Sequence, residues 1–338
     1  MIKKKNINKI LIFFLFSHLL IWTVVPSISN PNLPLDTIEA LAWGSNLEWG
    51  FAKHPPASAF FVEIFYQIFR NNDWAYYFLS QIFIVTAFFI VWKFSNIYFN
   101  NKIYSLIAVL ALEGIFFYNY TTPEFNVYIC ETLFWALTVY FSWLSFKTNE
   151  NINWILLGVF AGIGFLSHYL FIYLLASITI FFILTSIHKN NFNKKYLISL
   201  FVFFVVIFPH LIWLHENNYI TIDYALKRTE LKESTIFDHI KFPFLFVLKQ
   251  IGILIPFWIL LAIILKTFKM KINIRDNKKF FLLIINFLPL ILMFFTSLVI
   301  GAKIKTMWMT PFYLFFGLFF IYFLEKKIII NNLKKFLF

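Results

Sequence analysis

The chain has 338 residues, 61% of them hydrophobic and only 13% charged, with a mean hydropathy of +0.77. So little polar surface cannot clothe a soluble core, and apolar runs recur from end to end, so the composition predicts a polytopic membrane protein. The net charge of +13 raises nucleic acid as a partner, but Lys and Arg fall in small clusters between apolar runs, with no basic helix or nucleic-acid module, and that class is excluded.

A hydrocarbon core of ~30 Å takes roughly 20 helical residues to cross. On that ruler the sequence predicts about ten helices, near 8–27, 74–92, 103–118, 127–146, 154–166, 169–187, 196–213, 243–265, 280–299 and 308–324. MIKKK before the first run resembles a signal peptide, yet no small-x-small cleavage site follows, and the segment reads as a signal anchor. Residues 154–187 would make one helix of ~51 Å, too long for a single crossing. They read instead as a hairpin turning at GIGFLSHY, where Gly162, Gly164 and Ser167 weaken the helix and carry His168 to the far face. The single Cys130 lies in an apolar run and excludes an intramolecular disulfide or thiolate metal site. The 49 Phe reflect a compositional habit, so aromatic stripes carry little functional weight.

Most Lys and Arg lie at the N-terminus, in 93–102, at Lys147, and in 188–195, 266–279 and the tail. The positive-inside bias therefore places both termini in the cytoplasm of an inner-membrane protein, while most acids fall in the opposite, extracytoplasmic segments. No internal repeat appears, no soluble domain follows the last helix, and residues 1–338 read as a single transmembrane unit.

The first external loop, about 28–73, holds LDTIEALAWGSNLEWGFAKHPP (35–56). TIEALAWGSNLEW and ASAFFVEIFYQIF read as two short helices lying along the membrane surface, joined by the charged run. One reading makes Asp36 an N-cap and Glu39 its capping-box partner. The other makes a carboxylate here a general base toward an acceptor hydroxyl, with a cation near Lys53 and His54 meeting a phosphate leaving group. The two are compatible.

The Asp/Glu pair after the first helix, the Trp-containing helix and the KHPP turn resemble glycosyltransferases related to protein O-mannosyltransferases, family 39, of the GT-C fold. FNVYICETLFWALTVYF, GIGFLSHYLFIYLL, PHLIWLHENNYITIDYAL and GAKIKTMWMTPFYLFFGLFF match further segments of that family in order. The resemblance implies an all-α GT-C membrane enzyme that moves a sugar from a polyprenyl-phosphate donor to a glycolipid, polysaccharide or protein acceptor at the extracytoplasmic face, with inversion. It carries the base to Asp36 and the second acid to Glu39, and phosphate contacts to Lys53 or His54 and to Lys303 or Lys305. Members often hold another carboxylate at the start of the fourth helix, where this chain has FNVY; Glu113 and Glu124 are the nearest substitutes.

His168 reads either as a phosphate contact or as a solvated interfacial histidine. Lys249 and Glu131, inside apolar helices, are costly unless they face a cavity or a partner. Residues 216–241 read as a surface helix or an acceptor-side lid, and His210 and His215 as interfacial anchors. No metal-ligand spacing such as H-E-x-x-H appears, although His54 with Glu39 or Glu48 could trap an ion, so no metal or other cofactor is assigned beyond the lipid-linked donor. Two alternatives stay open: a transporter or flippase of lipid-linked intermediates, and a non-catalytic family member.

Overall fold

The computed structural model describes residues 4–230, 235–270, 276–329, 332 and 336. Their regular structure is helical, apart from an isolated bridge between Leu265 and Ile328. Among the described residues, seven segments are long and apolar enough to cross a membrane. They are α1 (Lys4–Ser29), α4 (Asp73–Tyr98), α6 (Val127–Thr148), α8 (Ile172–Lys189) with its leading turn, α9 (Tyr196–Glu216), α11 (Asp238–Ile264) and α12 (Asn277–Ile300). An eighth is a bent pair, a 3-10 segment Thr306–Tyr313 meeting α13 (Phe316–Leu324) at 49°.

The expected count of ten is not confirmed, for two local reasons. The expected span at 103–118 is α5 (Lys102–Leu110), only nine residues, which breaks into 3-10 turns at Ala111–Gly114 and Phe116–Tyr118. The expected span at 154–166 is α7 (Asn151–Ser167), 17 residues long and ~25 Å at 1.5 Å per residue. The first loop does contain two short helices, α2 (Leu35–Gly44) and α3 (Ala57–Phe69).

Helix α6 is the hub, packed on α4 and α7, while α9 presents most of its surface outward. Burial in its spanning window is 72% against 22% for α9, which assigns the lipid-facing role to α9. Helix α7 lies against α9 through a small-residue notch. A Cβ on Gly158 would meet the Ser199 carbonyl oxygen at 2.5 Å, and one on Gly162 would meet Val206 Cβ at 2.7 Å. Gly162 therefore serves close helix approach, the small-xxx-small geometry of membrane packing, rather than weakening the helix as expected. The break falls instead at His168, whose extended backbone (φ −160°, ψ 136°) separates α7 from the 3-10 turn Tyr169–Phe171 that leads into α8.

Inside the bundle, His18 of α1 is buried and its Nδ1 lies 2.8 Å from Glu113 Oε1. That pair joins the first span to the point where α5 gives way to 3-10 turns, and it occupies Glu113, one of the two substitutes for the missing acid.

Gly158→Leu is expected to overpack the α7–α9 notch and destabilise the protein by about 1–3 kcal/mol. Gly252→Leu, at a position where a Cβ meets nothing within 4 Å, is expected to leave thermal stability unchanged or slightly raised when both are melted in the same detergent.

Candidate functional site

Helix α2 begins after Pro34, whose carbonyl accepts from Thr37 and Ile38 N–H, both at 3.1 Å. Pro34 thus occupies the N-cap position and Asp36 lies in the first turn with no side-chain cap bond, so the capping-box reading is corrected. An acceptor for the orphan donors comes from another segment. Asp36 N–H donates to Glu124 Oε1 at 3.3 Å, and Thr37 Oγ1 donates to the Phe125 carbonyl at 3.1 Å.

These bonds bring two carboxyl groups together at the entrance to α6. Burial and the Glu39 carboxylate push the Asp36 pKa above its ordinary value, against the pull of Lys53 and Arg228. Burial and Asp36 push Glu124 up, against its bonds to Asp36 N–H and to Asn126. Asn126, where the family resemblance expects an acid, caps α6 by accepting from Tyr128 N–H at 3.0 Å and Ile129 N–H at 3.1 Å.

The KHPP run is bound from outside its own loop. Phe51 N–H donates to the His54 carbonyl at 3.1 Å, and Thr221 Oγ1 of α10 (Ile220–Arg228) donates to the Phe51 carbonyl at 2.6 Å. His210 bonds to the Trp49 carbonyl and Trp213 Nε1 donates to Glu48 at 3.1 Å, so α9 holds the same run. Lys53 is ion-paired with Glu39. The His54 ring lies edge-on to Trp43 at 6.0 Å and beside His168 at 6.0 Å and Tyr224 at 6.4 Å. Burial, with the charges of its neighbours, pushes its pKa down to about 3, so His54 offers a neutral N–H or lone pair at working pH.

A second cluster faces a cavity of about 430 Å³ lined by Lys249, Lys303, Lys305, Glu124, Asn126 and Tyr128, among others. Lys249 of α11 thus has the cavity that its place inside an apolar helix demands. Glu230 pairs with two of these lysines, with Lys303 Nζ 2.9 Å from each of its oxygens and Lys305 Nζ at 3.3 Å. Those two ammonium groups hold the Glu230 carboxyl below its usual range. Asp36 forms no ion pair among the described residues, and neither does Lys249.

The structure therefore places Asp36, Glu39, Lys53, His54 and Glu124 in one neighbourhood, with His168 beside His54. Lys303 and Lys305 share the cavity that Glu124 also lines. Glu113 points into the bundle instead. Arg228, Tyr224 and Glu230, which also border the site, come from the segment after α9, where only their mixed charge in a surface-helix pattern signalled them. Among the described residues no group of three or more His, Cys, Asp or Glu could hold a metal ion.

The model of a protein family described as dolichyl-phosphate-mannose-protein mannosyltransferase matches residues 53–213. Among solved structures, that of ArnT from Cupriavidus metallidurans bound to undecaprenyl phosphate superposes with a TM-score of 0.70 over 96% of this chain, at 12% identity. The chain is a multi-pass membrane protein of the GT-C fold, similar over residues 53–213 to that mannosyltransferase family. This GT-C fold spans 61% of the length of the ArnT chain. No curated protein matches it by sequence.

Asn126→Ala is expected to remove the α6 cap from the GT-C core and lower stability by about 1 kcal/mol, while Asn126→Asp, which keeps the acceptor, retains it. Thermal denaturation of the two variants in one detergent checks this.

Proposed function

We propose that this protein transfers a glycosyl group from a polyprenyl-phosphate-linked sugar to a glycolipid, polysaccharide or protein acceptor at the extracytoplasmic membrane face. The observation that carries the reading is one arrangement: a carboxylate with no ion pair among the described residues, Asp36, whose neighbour Glu124 also lines a cavity bearing three lysines, on a GT-C fold. An apolar cleft of about 480 Å³ between α11, α12 and α13 adds support. It is lined by Phe246, Leu254, Trp258, Phe287 and Phe320, and its residue Gln250 adjoins Lys249 of the charged cavity. A lipid phosphate at the lysines could lay its hydrocarbon chain there.

Asp36 acts as general base in this reading. It takes the proton of the acceptor hydroxyl as that oxygen bonds to the anomeric carbon from the face opposite the phosphate. The anomeric carbon–oxygen bond breaks, its electron pair stays on the lipid phosphate, and Lys303, Lys305 and Lys249 stabilise the charge that develops there. Lys53, paired with Glu39, keeps a cation near the sugar-bearing end, and Glu124 orients the Asp36 turn. Glu230 would yield the two lysines when a phosphate arrives.

Asp36→Asn is expected to reduce transfer by at least about 100-fold while leaving undecaprenyl phosphate binding intact, measured with purified protein in nanodiscs and by mass spectrometry of envelope glycans. Unchanged glycans in cells carrying Asp36→Asn would remove Asp36 as base. The base must be ionised, so activity is present above the raised Asp36 pKa and lost as pH falls through it. The acid limb of kcat/KM should thus lie above the ordinary aspartate value of about 3.9. Lys53→Met removes a charge that lowers that pKa, and should move the limb to higher pH. Lys303→Met with Lys305→Met is expected to weaken undecaprenyl phosphate binding by about 10-fold or more.

A further inference from the structure

Glu131 stands on α6 with its side chain fully enclosed, and neither carboxylate oxygen has a hydrogen-bond partner among the described residues. Such a group is too costly to bury alone. The charge-bearing group beside it is His168, whose Nδ1 lies 3.4 Å from Oε2 and is itself enclosed without a partner. The His168 backbone is tightly held. Ser167 Oγ meets Cys130 Sγ at 3.2 Å, one residue before Glu131, and Gly164 lets the Phe171 ring approach where a Cβ would stand 2.3 Å from it. The imidazole is set edge-on to Tyr128 at 5.1 Å and beside His54 at 6.0 Å, and Nε2 has no partner among the described residues.

We propose that Glu131 is a positioning residue for His168, and that the pair presents the His168 Nε2–H as a donor to the anionic group of the substrate, beside His54 and Tyr128. The role rests on the polyprenyl-phosphate reading of the site. Its physical basis is charge balance. A buried carboxyl–imidazole pair is least costly with no net charge, which requires two exchangeable protons. One lies between Oε2 and Nδ1, whichever atom it is nearer; the other is on Nε2 or on Oε1, and Oε1 is enclosed with no acceptor for an O–H, which favours Nε2. Either arrangement gives the same donor, and an arriving phosphate can draw the shared proton onto the ring without any proton entering from water. The long contact is of the kind that tightens when ligand binds. The carboxyl thus selects the tautomer, as the hydrogen bond at one ring nitrogen ordinarily does for the other.

The test uses the full-length protein in nanodiscs with undecaprenyl phosphate as probe, together with the 15N spectrum of His168. His168→Phe is expected to weaken binding about 10-fold, and Glu131→Met by at least about 3-fold, with no further loss when Glu131→Met is added to His168→Phe. Glu131→Gln, whose amide N–H can pair with Nδ1 and leave the hydrogen on Nε2, should restore affinity to within about 3-fold of wild type. Nε2 should carry hydrogen in the wild type and in Glu131→Gln, and become mixed in Glu131→Met. Wild-type binding by Glu131→Met, or additive losses in the double variant, overturns the positioning role while the donor reading stands. Failure of the wild type to bind undecaprenyl phosphate overturns the donor reading and the anion contact together. An Nδ1–H tautomer in the wild type overturns the pairing by itself.

Discussion

The site depends on the contact that ties the first turn of α2 to the strand of residues before α6. A ten-residue helix is too short to persist alone in water. Its hydrogen bonds to Glu124 and Phe125 supply the tertiary support, and they set Asp36 at one height relative to the bundle. Because the same segment leads directly into the Asn126 cap, the start of α6 and the start of α2 are positioned together. The first loop is therefore built onto the core.

Charge is distributed in a way that follows from the low dielectric of its surroundings. Lys53 is paired with Glu39, and Lys303 and Lys305 share the one carboxylate of Glu230, each contact within 4 Å and partly exposed. Exposed pairs of this kind stabilise a fold little. Their value is that they keep cations close to a cavity with part of the charge compensated when it is empty. The carboxyl of Asp36, by contrast, is crowded by another acid and half buried, which makes it a better proton acceptor than a solvated aspartate.

Much of this was legible in the sequence. Hydropathy placed the long helices within a few residues, and the 34-residue apolar run announced a hairpin because one helix of that length overshoots the bilayer. The charged run between two short apolar helices pointed to Asp36, Glu39, Lys53 and His54. What could not be read were events decided by distant partners. Whether α5 continues or breaks into 3-10 turns is settled by packing, since α13 lies against it and Phe257 of α11 crowds Gly114. Asp36 matches a capping-box pattern, but Pro34 takes the cap position and Glu124, 88 residues away, takes the donor. The folding of α10 against Phe51, which brings Tyr224 and Arg228 to the site, joins positions 170 residues apart.

The His18–Glu113 pair has a bearing on how the chain enters the bilayer. An imidazole can cross hydrocarbon uncharged at small expense, so α1 can be released from the insertion machinery early and wait. A carboxyl group at the broken end of α5 is costlier, and an imidazole already beside it lowers that cost. The order of synthesis, α1 before α5, thus matches the order that the energetics favour, and α1 serves as an assembly template for the segment that meets it.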